Sequence, residues 1–220
     1  MISFQNVSCT FGSPDAGVRN INLNIGDDDF IFLVGPNGSG KSTLLRLIYM
    51  DYFPDNGLVK IKNYRSDNIR EKDIPKLRRN IGMIFQDFKL LPDRDVYQNV
   101  AISLYISHYK SGQIKSTVHE KLNELNLGHR VHYKPNQLSG GEKQKVAIGR
   151  ALIKDPIVIL ADEPTGDLDP KSSIEIMDQL YKINQDNKAV IVATHDYEMV
   201  KRVPDAQIVS LKGGEITSVI

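Results

Sequence analysis

Apolar residues along the chain fall into two rhythms. Short continuous runs occupy residues 30–34, 81–85, 157–161, 190–193 and 208–211. Runs of that length, rich in Val and Ile and bounded by polar segments, predict strands covered on both faces, as parallel strands are. Longer stretches between them carry helical spacing, such as Val146, Ala147, Ile148, Ala151 and Leu152. Strands alternating with helices predict an α/β fold with a mainly parallel sheet. The first thirty residues differ. Ile2, Phe4 and Val7, then Val18, Ile21, Leu23 and Ile25, lie in patches on either side of a turn-like segment at 12–17. They predict a small antiparallel sheet, which a strand at 58–61 joins after the turn at 53–57. Residues 97–152 show no strand pattern, and Thr117 with Glu120 reads as a helix-starting capping box ahead of Val118, Leu122 and Leu125. The expectation is one domain over 1–220 with a helical subdomain inserted at about 87–155.

Composition narrows the partners. With 28 basic and 27 acidic residues the net charge is +1, so charge advertises neither a nucleic-acid surface nor an acidic tail. The single cysteine, Cys9, has no internal disulfide partner, and the chain opens without a basic-then-apolar leader, which fits a reducing cytosol. No apolar stretch approaches the roughly 18 residues that span a bilayer, so a membrane role is expected to come through a partner.

Residues 35–43 read GPNGSGKST, directly after one apolar run and directly before Leu44, Leu45, Leu47 and Ile48. Strand, glycine-rich turn and helix start are the context of a phosphate-binding loop. Gly35, Gly38 and Gly40 let the backbone curl, so that N–H groups and the positive end of the helix point into one concavity. Pro36, Asn37 and Ser39 complete the turn. Lys41 would reach the β- and γ-phosphates, Ser42 would coordinate Mg²⁺, and Thr43 would add a phosphate contact. The run at 157–161 delivers Asp162 and Glu163 at a strand's C-terminal end, where ligands of parallel sheets bind. Asp162 is the candidate to hold Mg²⁺ through its water shell, and Glu163 to polarise a water for attack on the γ-phosphate. Ser139 and Glu142 form a second capping box. Gly140 and Gly141 weaken the first turn of that helix unless something must approach its backbone closely.

GPNGSGKST, LSGGEKQ at 138–144, VILADEP at 158–164, GDLD at 166–169 and ATHD at 193–196, in that order, resemble an ATP-binding cassette ATPase over essentially the whole chain. The resemblance implies a phosphate-loop NTPase core with an N-terminal antiparallel β-subdomain and an α-helical subdomain. It implies ATP and Mg²⁺ as ligands, and an ATP-dependent homodimer. In that dimer Ser139, Gly140, Gly141 and Glu142 of one copy close over the γ-phosphate held by the loop of the other. It further implies that Phe11 stacks on adenine, Gln86 touches Mg²⁺ and the attacking water, His195 contacts the γ-phosphate, and the 167–169 segment, Asp169 included, signals across the dimer. Residues 74–101 resemble the bacterial cell-division branch of the family. Its ATPase sits on the cytoplasmic face of the inner membrane and pairs with an integral membrane protein to control peptidoglycan hydrolases. Around the Gln86 segment the apolar candidates to receive that partner are Phe88, Leu90 and Leu91. Lipoprotein-release and export ATPases share this architecture and stand as the alternative. Soluble DNA-repair cassettes carry coiled-coil or zinc-binding insertions, whereas the interval before LSGGEKQ has neither heptads nor cysteines.

Overall fold

The apolar runs become the strands they predict, each with a structural reason. The structure is a computed structural model and describes residues 1–107 and 109–220, except for the side chains of residues 13–15 and 111. In chain order the elements are β1 (Ile2–Phe11), β2 (Ser13–Ile25), β3 (Phe30–Val34), α1 (Lys41–Ile48), β4 (Asn56–Ile61), β5 (Tyr64–Arg65), α2 (Ile74–Arg79), β6 (Ile81–Ile84), α3 (Val96–Ile106), α4 (Ser111–Glu124), α5 (Gly140–Leu152), β7 (Val158–Asp162), α6 (Pro170–Gln185), β8 (Ala189–Thr194), α7 (Tyr197–Val200), β9 (Gln207–Lys212) and β10 (Glu215–Val219).

Two sheets form. One runs β2-β1-β4-β5 and is antiparallel; the other runs β10-β9-β3-β8-β7-β6, parallel except for β10 against β9. Every residue of β3, β6 and β8 is buried, because both faces of the large sheet are covered. Alternate residues of β3 serve different cores. Phe30, Phe32 and Val34 pack with α3, α4, α5 and α6; Ile31 and Leu33 pack with α1 and the antiparallel sheet. That division follows from the period of two along a strand.

Two expectations change and one strand is added. Thr117 and Glu120 start no helix: α4 begins at Ser111, and the Thr117 hydroxyl donates to the Gln113 carbonyl at 2.9 Å from inside the helix. The S/T-x-x-E pattern is also what a polar helix face carries, so a mid-helix pair imitates a start. The segment at 12–17 is mostly strand, with Phe11 paired to Ser13 around Gly12, so the hairpin turns more tightly than its glycine-rich composition suggests. The edge strand β10 has no clear apolar run, since its exposure alternates and its apolar signal is diluted. The box at Ser139 forms as expected: the Glu142 N–H donates to the Ser139 hydroxyl at 3.2 Å and the Ser139 N–H to the Glu142 carboxylate at 2.9 Å.

Candidate functional site

The order β3-β8-β7-β6 brings four C-terminal strand ends side by side. Gly35 follows β3, His195 follows β8, Glu163 follows β7, and Gln86 lies two residues beyond β6. The crevice outside the carboxyl ends of a parallel sheet is where such folds bind ligands.

After β3 the chain must reverse into α1 within six residues, and Gly35 and Gly40 make this possible. Their φ angles are 152° and 103°; a Cβ at Gly35 would lie 2.2 Å from the Leu211 carbonyl oxygen, and one at Gly40 2.5 Å from the Val18 side chain. Gly40 is also the N-cap of α1, so no side chain caps that helix. Its first-turn N–H groups therefore face the cavity without a capping acceptor. The cavity holds about 290 Å³ and is lined by residues 37–43 together with Ala16, Gly17, Gln86 and Glu163. No pattern in the sequence connects Ala16 and Gly17 to the site; β2 carries them there by packing its N-terminal end against the loop.

Lys41 is 6% exposed, donates to the carbonyls of Gly35 at 2.8 Å and Pro36 at 3.3 Å, and lies 3.6 Å from a Glu163 carboxylate oxygen. The other Glu163 oxygen is 3.0 Å from His195 Nδ1. Glu163 takes a φ of 46°, a left-handed conformation costing a non-glycine residue about 1–2 kcal/mol. Its N–H donates to the Ala193 carbonyl at 2.9 Å and its own carbonyl accepts from Gly166, which fixes the bend beyond β7. Strain held at a strand end beside a cavity is characteristic of functional positions.

The donor set fits a phosphate chain with a hard cation. The Ser39 hydroxyl is buried in the loop with no hydrogen-bond partner, an unsatisfied polar group of the kind that binding loops carry. Ser42 donates to Asp162 at 2.8 Å, which sets a hydroxyl and a carboxylate oxygen side by side, the oxygen ligands Mg²⁺ accepts. Burial pushes the Asp162 carboxyl above its usual range, and Glu163 adds to this against the opposing Ser42 hydrogen bond. Among the described residues no group of three or more His, Cys, Asp and Glu side chains is placed to hold a metal by itself. Mg²⁺ here would need phosphate oxygens to complete its shell, as it does where it binds with nucleotides.

The remaining residues singled out in the sequence lie elsewhere. Phe11 is 41% exposed with its ring 4.8 Å from that of Tyr52, outside the cavity lining. Ser139, Gly140, Gly141 and Glu142 are absent from that lining too. What approaches the two glycines closely is the chain itself: a Cβ on Gly140 would lie 3.1 Å from Leu168, and one on Gly141 2.7 Å from the Ser172 hydroxyl. Asp169 caps α6, accepting from the Ser172 N–H at 3.0 Å and from its hydroxyl. Those hydrogen bonds hold its carboxyl below the ordinary range. Phe88, Leu90 and Leu91 are partly buried, with Leu90 packed on the helical core.

Comparison with known proteins places this geometry. Residues 18–166 match the family described as ABC transporter. The chain belongs to the ABC transporter family. Its relatives include the cell division ATP-binding protein FtsE of Mycobacterium tuberculosis, 42% identical over 91% of this chain and 87% of that protein. FtsE of Streptococcus pneumoniae is 36% identical over 98% and 94%. Among solved structures, the dimeric post-hydrolysis state of the ATP-binding cassette MJ0796, bound to ADP and Pi, superposes with a TM-score of 0.90 at 36% identity, covering 100% of this chain and 98% of that one. This ABC ATPase therefore has the cassette fold, binds ATP and hydrolyses it. Among its described residues no helix is long and apolar enough to cross a membrane.

Proposed function

We propose that this ABC ATPase is the peripheral motor of an FtsE-type complex at the cytoplasmic face of a bacterial inner membrane. Hydrolysis in two copies of the chain would drive an integral membrane partner of FtsX type, and so regulate peptidoglycan hydrolysis during cell division. The whole chain, 1–220, acts as one ATP-binding domain, with residues 87–155 as its helical insert and no nucleic acid as partner.

The single observation that carries the chemistry is the meeting of Lys41, the first residue of α1, with Glu163, which in turn meets His195 from the neighbouring strand end, at a helix N-terminus that has no side-chain cap. Loop residues 35–43 grip the phosphate tail and Phe11 lies against adenine. Ser42, Gln86 and Asp162 would hold Mg²⁺, which would supply charge neutralisation at the phosphate tail. Glu163 accepts the proton of the attacking water, and His195 holds that carboxylate from its other side. Ser139, Gly140, Gly141 and Glu142 of a second copy close the site from above, with Asp169 beside them. Because ATP bridges the two copies only in the closed dimer, closure is tied to an intact γ-phosphate. Taking such a switch from about 1:99 to 99:1 needs about 5.5 kcal/mol of differential affinity, within reach of two sites with several charged contacts each.

The test is recovery of the membrane partner. A Glu163→Gln chain, loaded with ATP and used to capture proteins from detergent-solubilised membranes of its own source, is expected to retain an FtsX-type protein. Recovery of a lipoprotein-release or export permease instead, or of DNA, would overturn the cell-division reading.

A further inference from the structure

Phe11 ends β1 at the tip of the first hairpin, and three sets of contacts hold it there. Its backbone pairs with Ser13 around Gly12. The residue before it is tied to the turn that precedes β4: the Asp55 carboxylate accepts from the Thr10 N–H at 2.8 Å and from the Thr10 hydroxyl at 3.0 Å, while the Asp55 N–H donates to the Ser8 carbonyl at 2.8 Å. Beside the Phe11 ring stands Tyr52, with ring centres 4.8 Å apart and planes inclined at 55°.

Tyr52 is itself anchored. Its side chain packs on the core built by α1 and the antiparallel sheet, and its hydroxyl accepts from the Arg46 guanidinium at 2.5 Å. Arg46 lies on α1 one turn beyond Ser42, on the same side of the helix. The hairpin therefore rests on α1 and its continuation at two places. Gly17 lies against Gly40 at the helix N-terminus, where a Cβ on Gly40 would come within 3.1 Å of the Gly17 carbonyl oxygen, and Phe11 meets Tyr52 just past the C-terminus.

A partly exposed phenylalanine left to itself samples several rotamers and must give up that freedom when a flat ligand stacks on it. An inclined aromatic neighbour at this distance is a favourable pair and removes part of that freedom beforehand. The brace does not bury the ring it holds, since Phe11 keeps 41% of its surface open.

We propose that Tyr52 is a positioning residue for the base of the nucleotide, holding the Phe11 ring ready to stack while Arg46 ties that brace to the helix whose other end takes the phosphates. The proposal rests on the reading of Phe11 as the residue that lies against adenine. Tyr52 acts through Phe11 alone, so its loss costs ligands that carry a base and spares a bare phosphate chain.

The experiment measures two affinities of the full chain, for magnesium ATP and for magnesium tripolyphosphate, by displacement of a fluorescent ATP analogue labelled on the ribose. Tyr52→Leu keeps apolar packing and removes the ring; it is expected to weaken ATP by about 3- to 10-fold, the worth of one aromatic pair, and to leave tripolyphosphate unchanged. Tyr52→Phe keeps the ring and should stay within about 2-fold of wild type for both ligands. Phe11→Ala should weaken ATP at least as much as Tyr52→Leu, again with tripolyphosphate unmoved. Equal weakening of both ligands by Tyr52→Leu would show a general support of α1 and overturn the proposal. Tyr52→Phe as weak for ATP as Tyr52→Leu would give the effect to the hydroxyl and overturn the ring brace. If Phe11→Ala lowers ATP affinity and Tyr52→Leu does not, the adenine reading stands and the brace falls. If Phe11→Ala leaves ATP affinity unchanged, the adenine reading falls and takes the brace with it.

Discussion

The chain contains two glycine-rich helix starts, and they are built in opposite ways. At α1 the N-cap is Gly40, no side chain answers the first-turn N–H groups, and the nearby Ser39 hydroxyl is buried without a partner. At α5 the N-cap is Ser139, and Ser139 and Glu142 satisfy each other's backbone, with Arg130 holding the far carboxylate oxygen at 2.8 Å. An uncapped helix end facing a cavity is waiting for an anion; a self-capped one is stable alone and must give up a hydrogen bond to engage a ligand. Their glycines differ in the same sense. Gly35 and Gly40 are required by backbone conformation, whereas Gly140 and Gly141 make room for Leu168 and Ser172. On the proposed reading, one half-site binds within a single copy, and the other is a structural cap that would become a ligand site only in a pair.

The sharpest way to break this contrast is to attack chemistry without binding. Glu163→Gln is expected to slow ATP hydrolysis by about 100- to 10,000-fold while leaving ATP affinity near wild type, read by phosphate release and equilibrium binding. ATP should then convert the chain to a dimer in size-exclusion chromatography; a wild-type rate would remove Glu163 from its role. Lys41→Ala attacks binding itself. Losing a buried, charge-assisted donor should weaken ATP affinity by about 100-fold, or about 3 kcal/mol, and calorimetry that returns unchanged affinity would dissociate the α1 start from phosphate.

On the α5 side the effects should be smaller and of another kind. Gly141→Ala places a Cβ 2.7 Å from the Ser172 hydroxyl and should destabilise the fold by about 1–3 kcal/mol in denaturant unfolding, with ATP affinity of the single copy untouched. Ser139→Ala removes the cap at about 1 kcal/mol, and should abolish the ATP-dependent dimer in the Glu163→Gln background. If the dimer persists, the serine is a cap and nothing more. Finally, burial alone would raise Glu142, but hydrogen bonds from the Ser139 backbone and Arg130 outweigh it and hold the carboxyl below its usual range. With a folded-state pKa below the unfolded one, its contribution is present above the unfolded value and is lost as pH falls through the folded one. Thermal midpoints of the wild type should therefore drop more steeply below about pH 4 than those of Glu142→Gln.

How far the sequence reaches can be seen in particular residues. Strands β3, β6, β7 and β8 were legible because burial on both faces leaves unbroken apolar runs, and the Ser139 box because a cap spans only three residues. Thr117 carried the same local signal and misled, since the pattern does not record whether a helix already precedes it. For the site, GPNGSGKST was readable in isolation, but the roles of Gln86 and His195 rested on family resemblance, because a lone polar residue after a strand has no local signature. Ala16, Gly17 and the contact of Tyr52 with Phe11 had no signal at all.

The sequence by itself determined what short-range forces decide: which segments form strands, where glycine must admit a left-handed turn, and which helix start caps itself. Only the tertiary structure decided that Ser42 meets Asp162 across 120 positions, that Glu163 meets both Lys41 and His195, and that Gly141 must clear Ser172. The reason is physical. Periodicity and turn chemistry act over one or two turns of chain, whereas the neighbours at a strand end are fixed by the order in which the whole sheet assembles, and that order is set by packing on both of its faces.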